Sequence, residues 1–81
     1  MGSEKKQQLT RDLSLALRYL TSWEEKEITG ETIRRAWRGY DFEVLDRMKA
    51  EDLVNFSFKA KSLYLTGDGE NEARRIIEKL Q

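Results

Sequence analysis

The sequence predicts a mainly helical α+β domain: three helices, a β-hairpin and a closing C-terminal helix. Three observations carry this. Apolar residues recur every three or four positions before residue 50 and again after residue 68, which is the period of a helix with one buried side. Between residues 53 and 66 the pattern changes to alternation, the period of a strand. The chain has 81 residues, enough for one core and no second folding unit.

Each element follows in order. Residues 1–8 are polar, include Gly2, Ser3, Glu4, Lys5 and Lys6, and read as a flexible start; the single domain is expected over 9–81. From there Leu9, Leu13, Ala16, Leu17, Leu20 and Trp23 fall on one helical side, predicting a first helix near 9–25 whose core row they form. Thr29 offers a capping hydroxyl ahead of Ile33, Ala36, Trp37 and Tyr40, predicting a second helix near 30–39. Asp41 stands where it would cap a third helix, near 42–51, with Val44, Leu45 and Met48 inward. Val54, Phe56 and Phe58 then alternate with polar residues, as do Leu63 and Leu65, predicting strands near 54–58 and 62–66. The turn Lys59-Ala60-Lys61 lacks the glycine of a tight hairpin, so a longer loop is expected. Thr66 or Asp68 caps a last helix near 68–80, with Gly69, Ala73, Ile76, Ile77 and Leu80 inward. Gly69 on that row lets the helix start lie close to its neighbour.

Composition excludes several functions. There is no Cys, hence no disulfide, thiolate zinc site or thiol nucleophile, and a reducing compartment suits the chain. There is no His, which removes the commonest metal ligand and general base. No glycine-rich phosphate loop or nucleophile elbow occurs, so no enzyme, cofactor, metal or small-molecule substrate is expected. No apolar run approaches the roughly 20 residues of a membrane span, and MGSEKKQQ lacks the apolar core of a signal peptide; the expectation is a cytoplasmic protein. Fifteen basic residues balance fifteen acidic ones, and the pI near 6.3 is far below that of a basic nucleic-acid-binding domain.

Helix, helix, helix, hairpin, helix resembles the order of a winged helix-turn-helix domain. Within Leu63-Tyr64-Leu65-Thr66-Gly67-Asp68-Gly69, the part from Leu65 to Gly69 resembles the wing strand that runs into a capped helix in small bacterial winged-helix regulators, Tyr64 standing one place closer. More narrowly, LRYLTSWEEKE (17–27), RAWRGYDFEVLDRM (35–48) and KSLYLTGDG (61–69) resemble a family of small bacterial proteins known only as a domain of unknown function. That resemblance runs from Leu13 onward. It implies a bacterial cytoplasmic setting and brings no catalytic residue or cofactor.

Two functions follow as expectations. A winged helix reads DNA with its third helix, yet residues 41–52 carry Asp41, Glu43, Asp46, Glu51 and Asp52 against Arg47 and Lys49, and such a face repels phosphate. Weak nucleic-acid binding would then rest on Arg34, Arg35 and Arg38 of the second helix, with Arg47 and the wing-tip Lys59 and Lys61; the alternative is an ordinary solvated surface. The competing function is protein association, as a homodimer or with another protein. Its candidate residues are Leu15 and Tyr19, which lie roughly 90–100° from the main apolar row, and the off-row aromatics Phe42 and Tyr64. Leu15 and Tyr19 either widen the core face or form an exposed patch. Trp23, Trp37 and Phe56 are expected to pack inside. The acidic stretches Glu24-Glu25-Lys26-Glu27 and Asp68-Gly69-Glu70 lack calcium-loop spacing and read as solvated helix ends.

Overall fold

A computed structural model describes residues 2–57 and 59–81. The order is α1 (Gly2–Leu20), β1 (Trp23–Lys26), β2 (Thr32–Trp37), α2 (Phe42–Ala50), β3 (Val54–Asn55), β4 (Ser62–Leu65) and α3 (Gly67–Leu80). The strands form one antiparallel sheet in the order β1-β2-β4-β3, and α1 packs on α3, α2 and β2. The α+β class holds. The helix expected over 30–39 does not form: its residues make β2, so no second helix precedes α2, and residues 23–37 are a hairpin.

The hairpin is explicable locally. Ile28, Thr29 and Gly30 make the turn, with Gly30 at φ 92° and Glu27 N donating to Glu31 O at 2.7 Å; a left-handed glycine closing a three-residue loop is a common hairpin connection. Ile33, Ala36, Trp37 and Tyr40 mimic a helical row, but β2 alternates Thr32, Arg34 and Ala36 on one side with Ile33, Arg35 and Trp37 on the other. Arg34 on the inner side hides that alternation from a hydropathy reading.

The 53–66 hairpin is present in shortened form, pairing Val54 with Leu65 and Asn55 with Tyr64 around a long loop. Phe58 lies outside the described residues. Thr66 caps α3 as expected, its hydroxyl accepting from Gly69 N at 2.9 Å. Asp41 occupies the cap position of α2, but its side chain makes no cap bond; its carboxylate accepts from Arg18 Nη2 at 2.7 Å.

One core lies between sheet and helices. Leu15 and Ala16 of α1, Ala36 of β2, Leu45 and Met48 of α2, Leu63 and Leu65 of β4, and Ala73 and Ile76 of α3 are buried together with Leu53, Val54 and Phe56. Trp23 and Trp37, expected inside, are 43% and 55% exposed. They lie on the side of the sheet opposite Ala36 and Leu63, where Trp23, Arg35 and Tyr64 are cross-strand neighbours.

The phase of α1 is the second departure from the sequence reading. The row Leu9, Leu13, Leu17 and Leu20 is exposed at 55, 45, 58 and 66%, while Arg11, Leu15 and Arg18 are buried. Both inward arginines are held by carboxylates, Arg11 through Nε, Nη1 and Nη2 and Arg18 through Nη2, while the Arg18 Nε is buried without a hydrogen-bond partner among the described residues. Arg11 contacts Asp12 at 2.5 Å, Glu72 at 2.8 Å and Glu51 at 3.3 Å. Burial alone would push its guanidinium pKa down, but the hydrogen bonds to Asp12 and Glu72 hold it above its ordinary value. Glu72 in turn is held below the usual carboxylate range by hydrogen bonds from Arg75 and Arg11. Arg18 donates to Arg38 O at 2.6 Å as well as to Asp41, tying α1 to the link between β2 and α2. The polar start, 2–8, expected to be flexible, continues α1 as helix.

Candidate functional site

The basic residues singled out in the sequence do not assemble into one surface. Arg34 turns toward the helices, donating to Ser22 Oγ at 3.0 Å and Glu24 at 2.9 Å, with its guanidinium 5.1 Å from the Tyr19 ring centre. Arg35 faces the other side of the sheet and pairs with Glu25. Arg38 is buried, 5.0 Å from the Phe42 ring centre and 5.9 Å from that of Tyr40. Arg47 donates to Gln8 at 2.6 Å and lies 3.7 Å from Glu51. Lys59 and Lys61 are exposed on the β3–β4 loop. Arg34, Arg35 and Arg47 thus each have a carboxylate neighbour, and their charge is compensated where a phosphate would have to bind.

The partner residues proposed from sequence are also redistributed. Leu15 is fully buried and Tyr19 is packed against the core, so the pair widens the core face and forms no exposed patch. Phe42 is 38% exposed beneath Arg38. Tyr64 is half-buried, its hydroxyl accepting from Asn55 Nδ2 at 3.0 Å. No group of three or more acidic side chains able to hold a metal ion occurs among the described residues, and none of their helices is long and apolar enough to cross a membrane.

What the structure does assemble is the leucine face of α1. Leu9, Leu13, Leu17 and Leu20 run in a strip about 17 Å long at 1.5 Å per residue. Its α3 side is widened by Leu80, 63% exposed, which lines a groove of about 140 Å³ with Leu9, Leu13 and Ile76 and with the charged Asp12, Arg75 and Lys79 at its border. On its other side, Thr10 and Thr21 turn their hydroxyls to the backbone of α1 itself, to Lys6 O at 2.7 Å and Leu17 O at 2.9 Å. Those donors are already satisfied and do not need water, so covering them costs little. Charge borders the strip along its α3 edge, where the Asp12 carboxylate is already paired with Arg11. The sheet's open side also exposes Trp23 and Trp37, but there the apolar surface is broken by Arg35, Glu25 and Asn55.

The same leucines were legible in the sequence as a row and were assigned to the wrong side. The missed signal was the pair Arg11 and Arg18, seven residues apart with acidic residues available elsewhere in the chain to receive them.

A family model for a domain of unknown function, DUF6429, matches residues 6–81. The chain belongs to that family. No curated protein and no solved structure matches it. The DUF6429 assignment agrees with the resemblance carried by the phrases at 17–27, 35–48 and 61–69, and it leaves the function to be argued from this surface.

Proposed function

We propose that this DUF6429 domain is a protein-association module that docks through the leucine face of α1. The observation that carries the reading is the exposure of four leucines at helical spacing on the outside of a helix whose opposite side is already buried. A contiguous apolar strip on a small domain marks a surface that another molecule covers. Weak nucleic-acid binding, the other expectation, loses support because Arg34, Arg35 and Arg47 are paired with acids and Arg38 is buried. The winged-helix reading loses support with the second helix, although the β3–β4 hairpin still resembles a wing.

The test is site-specific photocrosslinking in cells that express the chain. A photoreactive side chain in place of Leu17 should give one discrete protein adduct, lost when Leu13→Glu is added, whereas the same group in place of Glu78 should give none. Equal labelling from both positions, or no adduct at position 17, would contradict the proposal.

A further inference from the structure

We infer that the occupant of the leucine face is a second copy of this chain, paired antiparallel through α1 about a two-fold axis at Leu13. The inference rests on the docking reading above and adds the identity of the partner.

The leucine face is self-complementary. Lys6, Leu9, Leu13, Leu17 and Leu20 are separated by three, four, four and three residues. This spacing reads the same in both directions. A two-fold axis through Leu13 therefore sets Leu13 on its copy, Leu9 on the partner's Leu17, and Lys6 on the partner's Leu20, as a self-complementary two-fold interface requires. The Lys6 stem then covers apolar surface while its ammonium reaches the C-terminal end of the partner's α1. That end is the negative pole of the helix dipole, and Glu27 follows β1 beyond it, whereas Glu24 and Glu25 are already paired with Arg34 and Arg35. Parallel pairing instead brings Lys5 and Lys6 against their own copies, which is repulsive. Charge thus selects the antiparallel arrangement.

The extent is adequate. A strip of this length, with Leu80 and the threonine flank, covers on the order of 600 Å² per copy, so roughly 1,200 Å² in total, the lower end of the range for specific interfaces. The flanking hydroxyls of Thr10 and Thr21, already bonded within α1, add no unsatisfied donor to it.

Because the chain contains no Cys, single cysteines report the register without background. Under mild copper-catalysed oxidation, purified Leu13→Cys should link to itself at least tenfold more than Glu78→Cys. Leu9→Cys and Leu17→Cys should link weakly alone and, mixed in equal amounts, link to each other as efficiently as Leu13→Cys does to itself. Light scattering on the unmodified chain, which is independent of any damage at these positions, should give twice the chain mass. Efficient self-linking of Leu9→Cys and Leu17→Cys separately would overturn the antiparallel register. Single-chain mass at every concentration, with no linking above the control, would overturn the second copy. A Leu13-dependent adduct at position 17 in cells would then leave the docking surface standing with a different protein on it, and its absence would remove both readings.

Discussion

Gly69→Ala is expected to destabilise the domain by about 3 kcal/mol or more, lowering its melting midpoint by over about 12 °C. A Cβ at Gly69 would stand 1.8 Å from Leu53 O and 2.8 Å from Leu53 C, and both are backbone atoms with no flexible end to move aside. The approach is pinned from several directions. Thr66 N donates to Leu53 O at 3.0 Å, Leu53 N to Met48 O at 2.9 Å, and Thr66 Oγ1 to Asp52 O at 2.6 Å. Relieving the clash means lifting α3 off the turn after α2 and loosening its cap. The sign is informative, because alanine in an unobstructed helix would be favoured over glycine by about 1 kcal/mol. Chemical denaturation of the two proteins decides it, and an unchanged or raised stability would show that α3 does not begin against Leu53.

Leu15→Ala is expected to cost about 2–5 kcal/mol, and Leu17→Ala within about 0.5 kcal/mol. Leu15 has no exposed surface and sits in the core with Leu45, Met48 and Leu63, whereas Leu17 is 58% exposed. Truncation at Leu15 leaves a cavity among close-packed neighbours; truncation at Leu17 removes surface that water already reaches within one chain. Urea midpoints at unchanged slope are the measure, taken at the lowest workable chain concentration so that association adds little to stability. A larger loss at Leu17 than at Leu15 would mean that α1 is rotated and that the leucine row is core.

That pair of residues also shows where the sequence was readable and where it was not. The last helix, its Thr66 cap, the close approach at Gly69 and the 53–66 pairing follow from local chemistry and were legible. The cap is a hydroxyl three residues ahead of the amide it bonds, and alternation at Leu63 and Leu65 has no helical reading. The phase of α1 was not legible, because periodicity locates an apolar row without saying whether the core or a partner covers it. Arg11 and Arg18 face inward only because Glu51, Glu72 and Asp41, distant in sequence, receive them. The helix expected at 30–39 failed for a related reason. With Arg34 held inside by Ser22, Glu24 and the Tyr19 ring, the strand's alternation cannot be seen by hydropathy. The turn at Thr29-Gly30 was the available clue. The candidate site inherited both errors, which placed Arg34 and Arg35 together on a helix and the leucine row inside, while of the two readings left open for Leu15 and Tyr19 the core-widening one is what the structure has.

Sedimentation equilibrium over a wide concentration series is the most direct measurement of the central claim, that the leucine face of α1 is an interface outside the single-chain core. The unmodified chain, 9.6 kDa, is expected to approach twice that mass at high concentration and return to it on dilution. Leu13→Glu should remain at the single-chain mass throughout, with its circular dichroism unchanged because Leu13 lies outside the core. The claim is contradicted if the unmodified chain stays at single-chain mass up to millimolar concentration, or if Leu13→Glu associates as strongly as the unmodified chain.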